Sequence, residues 1–448
     1  MIAAPVTCAT ALEQCSVAGK PPHAGTAQEQ WHMGVELGKC VARSVSCRRG
    51  AALSSVPVNR LTIHTLAIPL RSRVSHAAAT LRIADPVVVA IELRSGVVGY
   101  GETLPRSYVT GETVGSVVGD IREQLVPCLL EMRPTSFPEA LEAIDALPMV
   151  NDRGIIMTAA RAAVELALLD AYARQFDRSI SELAGWLGAP GLGPPGSMGQ
   201  VRFTGTLFAD EVGDCLRRLR RLRWHGLRHF TLKVGLEDDA ERVGCVYHAL
   251  RRLLRTGRGT LRLDADGAWN VHQAVERLSS WSNLCIQAVE QPLAKGSEED
   301  LPDLADEVDI PLAHDESLVT QADARQLVEL GIASEFNIRI SKCGGLLPAL
   351  KLALFARKHG VRVRLGCMVG ETSILSSAGV QFLSMMPGVI AAEGSFGPML
   401  LRHDVCDKSL RFRYGGRPPR VDGPGLGISV AESRLTALAL EPPQVLEL

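Results

Sequence analysis

The chain of 448 residues carries 48 Lys and Arg against 49 Asp and Glu, a formal net charge of −1. That balance supplies no global field for nucleic acid or an anionic membrane, and no apolar run approaches the roughly 20 residues needed to span a bilayer. With 46% hydrophobic and 22% charged residues, the composition is that of a soluble globular protein, long enough for two domains of which one is large.

Residues 1–57 differ from the rest. They are rich in Ala, Gly, Ser and Thr, lack a sustained period, and include the basic positions Arg43, Arg48 and Arg49. The segment reads as a disordered extension or an over-long start with Met33 as an alternative initiator, and no function is built on it. Sparse acidic residues leave a transit peptide open, but no apolar core of a secretory signal is visible. Of the eleven cysteines, Cys8, Cys15, Cys40 and Cys47 crowd this stretch and none forms a metal-type CxxC pair. Reduced thiols in a cytoplasmic protein are the expectation.

Residues 58–187 read as an α+β domain. Leu61–Pro69 and Val87–Leu93 are apolar, β-branched runs, and the turn signal Ser95-Gly96 leads to a third at Val97–Gly101. Between Asn151 and Phe176 the pattern turns helical, with Ala159, Ala162, Ala163, Leu166 and Leu169 in a stretch almost free of Gly and Pro.

A Gly/Pro-rich linker, Gly188–Gly199, opens a second rhythm over residues 188–398. Strand-like runs fall at Val201–Leu207, His229–Val234, Thr260–Asp264, Ile286–Glu290, Ile310–Asp315, Glu335–Ile340, Val361–Leu365 and Val389–Glu393. Helical patterns such as Ala240–Leu254, Val271–Ser280, Gln321–Leu330 and Leu346–His359 separate them. Strand and helix alternating about every 25 residues predict an α/β fold with a parallel (β/α) barrel. An open doubly wound sheet competes, but it would want a Gly-rich phosphate turn, which is missing. Residues 399–448 are too irregular for another barrel unit and are expected to return to the first domain.

Barrel chemistry belongs at the C-terminal ends of strands. The second run ends in Thr231-Leu232-Lys233, the third in Asp264-Ala-Asp266, the fourth in Glu290, the fifth in Asp315-Glu316 and the sixth in Arg339-Ile-Ser-Lys342; Glu371 follows the seventh. Any one acid here is as well explained by a surface salt bridge. Three carboxylates on successive strand ends repel one another unless compensated, and an oxygen-only ligand set selects Mg²⁺ over zinc. Lys233 is then the candidate general base, against the plainer role of balancing the acids.

The ordered strings Leu232-Lys233-Val234-Gly235, Asp264-Ala-Asp266-Gly-Ala-Trp269, Val289-Glu290-Gln-Pro292, His314-Asp315-Glu316-Ser317 and Asn337-Ile-Arg339-Ile-Ser-Lys342-Cys-Gly-Gly345 resemble the enolase superfamily, in its muconate-cycloisomerase-like group. The resemblance runs from about Leu61 to about Asp404. It implies a (β/α)7β TIM-like barrel with an α+β capping domain, and Mg²⁺-dependent abstraction of the α-proton of a small carboxylate substrate to an enediolate. It also implies Asp264, Glu290 and Asp315 as metal ligands, Asp266 and Glu316 as supporting acids behind them, Lys233 as base, and a homo-oligomer. His76 and Tyr108, in the loops around Arg71–His76 and Pro105–Glu112, are candidates for touching substrate. So are Thr231 and Glu371. For His76 and Tyr108, packing of the domain interface is the alternative, and for Glu371 a salt bridge to Arg339 is.

Two departures from the group's pattern matter. Thr231 stands where a lysine that tunes the base is usual, and Arg339 stands where the opposite-face lysine is usual. Arg339 lies 24 residues after Asp315 (339 − 315), at the family spacing without a gap, and Lys342 is expected to point into the loop. Guanidinium stays protonated with a pKa of about 12 or more, so it is a poor proton shuttle. Arg339 therefore tips the expectation toward one-base cycloisomerase or syn-dehydratase chemistry. Racemisation or epimerisation of acylamino acids or dipeptides is the alternative, and a non-catalytic ligand-binding member is a third.

Overall fold

The computed structural model describes residues 55–193, 200–208, 211–394 and 396–448. The expectations for residues 1–54, four cysteines among them, and for much of the 188–199 linker lie outside the described residues. Residues 55–448 form one compact unit.

Five strands open it: β1 (Val58–Thr65), β2 (Ile68–His76), β3 (Ala79–Ala84), β4 (Val87–Leu93) and β5 (Val98–Thr103). The expected single run at 61–69 is broken, because the chain leaves β1 where Leu66 N–H donates to Pro86 O and Ala67 N–H to Leu438 O. Strands β2 and β3 then pair as a separate hairpin, missed in the sequence because the exposed polar run Arg71-Ser72-Arg73 interrupts β2 and β3 shows no clean apolar alternation. Short helices α1 (Val114–Asp120), α2 (Val126–Glu131) and α3 (Phe137–Asp145) precede α4 (Thr158–Gln175), with a π-helical turn at Ile121–Leu125 between the first two. A one-turn helix, α5 (Leu183–Leu187), closes the domain.

Nearly every residue of α4 is buried, and its buried charges Arg161, Glu165 and Asp170 are each met by ion pairs or hydrogen bonds. It lies directly on β4 and β5. A Cβ at Gly99 or Gly101 would collide with the α4 backbone at Ala171 or Ala163, so this approach is open only to glycine.

The barrel strands follow in order: β6 (Gly205–Leu207), β7 (His229–Lys233), β8 (Thr260–Asp264), β9 (Ile286–Glu290), β10 (Leu312–His314), β11 (Glu335–Ile338) and β12 (Arg362–Leu365). All pair in parallel, in sequence order, in one curled seven-stranded sheet. The interleaved helices are α6 (Val212–Trp224), α7 (Asp239–Arg255), α8 (Val271–Ser280), α9 (Leu301–Glu307), α10 (Gln321–Glu329), α11 (Leu346–Lys358) and α12 (Ser373–Met385). The eighth expected run, 389–393, forms no ladder. Ala392 instead bridges to Leu365 on one side and Phe203 on the other, so the run sits between the two ends of the sheet.

After α13 (Glu432–Leu438), β13 (Gln444–Glu447) returns to pair antiparallel with β1. The four-stranded capping sheet then reads β13-β1-β4-β5.

Two buried carboxylates of the cap seat the barrel helices. Glu165 of α4 accepts the N–H groups of Leu346 and Leu347, at 2.5 and 2.8 Å. Glu102 of β5 accepts from Thr372 N–H at 2.8 Å, Thr372 Oγ1 at 2.6 Å and Leu375 N–H at 3.0 Å. Each places an acid on the unpaired N–H groups and positive dipole end of a helix, α11 and α12 respectively. The barrel mouth is thereby held under the cap.

Candidate active site

The parallel register fixes the geometry of the mouth. Lys233 pairs with Asp264, Asp264 with Glu290, and Glu290 with Ala313, two residues before Asp315. Adjacent strands lie about 4.8 Å apart, so Asp264 and Glu290 stand side by side with Asp315 just past the end of the next strand, and all three are buried.

Each is held by a cation of the chain. Lys233 Nζ lies 2.5 Å from Asp264 Oδ2 and 2.8 Å from Asp266 Oδ1. Glu290 is bound by Arg364 and by Asn337 Nδ2. Asp315 is bound by Arg339, and by Lys342 Nζ at 2.7 Å to Oδ1 and 2.6 Å to its backbone oxygen. Among the described residues no three ligating side chains converge as a ready metal cluster.

The charges do not settle comfortably. Burial, and then Glu290, push Asp264 up to about 8. Glu316 is pushed to about 8 by burial and by Asp266 and Asp264. Neither Glu316 carboxylate oxygen has a hydrogen bond, and its ion pair is with Arg339 at 3.8 Å. Burial opposes the charge on Lys233, but Asp264 and Asp266 outweigh it and raise its pKa well above the ordinary lysine value. Asp266 is held below the usual carboxylate range, because Lys233 and His76 overcome its burial. A buried, oxygen-only donor set with surplus negative charge fits a hard divalent cation.

A small cavity of about 50 Å³ opens above these groups. Lys233, Asp266, Arg339, Glu371, His76 and Tyr108 all line it. Arg71–His76, expected as a loop, is the second half of strand β2, and its last residue, His76, has its ring 5.7 Å from that of Tyr108 and Nδ1 3.4 Å from Asp266 Oδ2, so a strand end and one loop of the cap reach the barrel mouth. Phe208, Met368, Val369, Phe396 and Leu400 supply an apolar wall.

Thr231 is placed differently from the expectation that it touches substrate. It is fully buried and its hydroxyl donates to Glu393 Oε1 at 2.9 Å. Lys342, expected in the loop, is fully buried beneath Asp315, and burial pushes its pKa down to about 8. Glu371 takes the Met368 N–H at 2.6 Å. Burial raises it to about 8.

The reading from sequence missed Arg364. Fully buried on β12, it binds both Glu290 and Glu393 and so ties the fourth, seventh and eighth positions of the barrel together. Its signal was an arginine alternating with Val363 and Leu365 inside an apolar strand.

The fold and this constellation are those of a barrel enzyme of isomerase or lyase type. The chain matches the family described as mandelate racemase/muconate lactonizing enzyme, N-terminal domain, over residues 60–185, and the enolase C-terminal domain-like family over residues 214–434. It belongs to the enolase superfamily, in the mandelate racemase/muconate lactonizing enzyme group.

Relatives include an N-succinyl-L-Arg/Lys racemase of Bacillus cereus, 25% identical over 86% of this chain and 98% of the relative. An L-Ala-D/L-Glu epimerase of Bacillus subtilis is 27% identical over 82% of this chain and 96% of its own length. A muconate cycloisomerase of Acinetobacter lwoffii is 28% identical over 86% and 96%. The substrate-liganded structure of the Bacillus subtilis epimerase superposes with a TM-score of 0.71 at 27% identity, covering 84% of this chain and 99% of that one. No helix among the described residues is long and apolar enough to cross a membrane.

Proposed function

We propose that this chain is a racemase or epimerase acting at the α-carbon of an acylated amino acid or dipeptide, with Mg²⁺ held by Asp264, Glu290 and Asp315. The observation that carries the chemistry is Lys233, which stands in the cavity at the end of β7 beside three carboxylates on the next strand ends. The racemase and epimerases among the relatives favour this reading over the one-base reaction expected from Arg339 alone.

When bound, the cation would neutralise charge building on the substrate carboxylate. Lys233 would take the α-proton once its amine is free of Asp264, and the like charge of Arg339 favours the neutral amine. Burial lowers the tendency of Arg339 to be charged, but Glu290 and Asp264 outweigh it, so the guanidinium stays positive and acts as an anion clamp. Gln291 fixes the loop after Asp315 by accepting the N–H groups of Asp315 and Ser317, at 3.1 and 3.2 Å. The apolar wall of Phe208, Phe396 and Leu400 excludes water and suits an apolar substituent.

The test is α-proton exchange in D2O, followed by NMR with chiral chromatography, over a panel of N-acetyl and N-succinyl amino acids and dipeptides with Mg²⁺. Deuterium entering the α-position with interconversion of the stereoisomers is the expected result. Turnover of a cis,cis-dicarboxylate diene to a lactone, without α-exchange of the amino-acid panel, would instead support one-base cycloisomerisation. That second reading is favoured by Arg339 at the opposite-face position.

A further inference from the structure

A two-face proton transfer needs a second group that can give up and retake a proton across the site from Lys233, and Arg339, whose guanidinium stays protonated, cannot. The geometry points to Glu371 as that group, the acid that delivers a proton to the face of the α-carbon opposite Lys233; the assignment rests on the racemase or epimerase reading above.

Lys233 ends the second barrel strand, and Arg339 follows the sixth. In a ring of eight positions these are diametrically opposed, and Glu371 follows the adjacent seventh strand. All three line one cavity. One oxygen of Glu371 is pinned by the Met368 N–H at 2.6 Å, which leaves the other to carry the proton. Met368 in turn sets its Sδ 3.6 Å from Arg339 Nη1, so guanidinium, thioether and carboxyl form one continuous wall. Among the described residues no cation lies within ion-pair distance of Glu371 to strip its proton beforehand. Burial and the neighbouring acids Glu102 and Glu393 keep the carboxyl protonated near neutral pH. Arg339 is close enough to stabilise the carboxylate left after transfer.

The step balances without a co-reactant. Lys233 takes the α-proton from one face, and the C–H electron pair passes into the substrate carboxylate as an enediolate. The O–H bond of Glu371 breaks as a C–H bond forms on the other face. A Glu371 carboxylate and a Lys233 ammonium remain, and proton exchange with solvent restores both.

The experiment uses the full chain with Mg²⁺ and the panel above, comparing wild type with Glu371→Gln, each stereoisomer presented separately in D2O. Glutamine keeps the acceptor for Met368 but has no transferable proton. Interconversion is expected to fall by about 100-fold or more. The stereoisomer whose α-proton faces Lys233 should still exchange within a few-fold of wild type, and that retained exchange also shows that the variant is folded. Unchanged interconversion in Glu371→Gln overturns the assignment, as does equal loss of exchange from both stereoisomers with an unaltered thermal melt. Wild type that exchanges neither stereoisomer of any panel member overturns the underlying racemase reading instead.

Discussion

Replacing Arg364 by methionine tests the buried charge network most directly. Arg364 is fully buried and bound to Glu290 and Glu393, while Glu290 is itself 2% exposed. Methionine keeps much of the volume but leaves Glu290 with the Asn337 amide in place of a cation. Breaking a buried ion pair from one side costs about 3–5 kcal/mol, because an uncompensated charge stays behind. Arg364→Met should lose about that much in chelator-treated protein, read from denaturant unfolding. The double variant Arg364→Met/Glu290→Gln should recover a sizeable part, since both charges then leave together. If a divalent cation binds Glu290, saturating Mg²⁺ should stabilise Arg364→Met more than it stabilises wild type. A single variant as stable as wild type in chelator, or equal stabilisation of both by Mg²⁺, would refute the reasoning.

Lys233→Ala should lower α-proton exchange by roughly 100- to 10,000-fold, while titration calorimetry still detects Mg²⁺, because the three carboxylates remain. Glu102 has its pKa raised to about 7 by burial. The folded state therefore binds the extra proton, and the stability it contributes is full below pH about 4.5 and declines by about 3 kcal/mol as pH rises to about 7. Denaturant melts across that window should give a shallower slope in Glu102→Gln, and an identical slope would count against the assignment. Asp264 and Glu316 are both raised to about 8, so Mg²⁺ binding at pH 7 should release between one and two protons, falling toward none at pH 9 and above. Calorimetry in buffers of different ionisation enthalpy measures this, and no release at pH 7 would be contrary to it.

Much of the barrel was legible because its strands are short apolar runs that end in charge. Those strand ends place Lys233, Asp264, Glu290, Asp315 and Arg339 on one rim from the sequence pattern alone. Elements without a clean period were not legible. The helix α12 is buried on almost all sides and so shows no polar face to mark it. The run 389–393 reads as a strand, yet it makes isolated bridges, because it fills a gap between two sheet ends instead of extending a ladder. Arg364 escaped for a related reason. Alternating with Val363 beside the exposed Arg362, Arg364 looks like a second outward-facing residue until Glu290 and Glu393, far away in sequence, are seen to converge on it. Thr231 reads as a substrate contact because a lysine is usual there, whereas among the described residues its short hydroxyl hydrogen-bonds to Glu393.

The same network gives a reason for the sequence's two departures. Six carboxylates are joined through ion pairs at the mouth: Asp264, Asp266, Glu290, Asp315, Glu316 and Glu393. Four cations face them: Lys233, Arg339, Lys342 and Arg364. Fully ionised, the cluster would carry a charge of −2 (4 − 6), and two of its acids, Asp264 and Glu316, are the ones pushed up toward protonation. The deficit is the charge of one divalent cation. An arginine at 339 supplies the same charge as a lysine there, so the exchange leaves the electrostatics of the metal site intact and alters only which group can carry a proton. The positive charge missing at Thr231 is supplied from β12, where Arg364 holds the same Glu393 oxygen that Thr231 touches. Both substitutions thus preserve charge and displace proton-transfer capacity. The neutral carboxyl on the opposite wall, Glu371, is where that capacity remains.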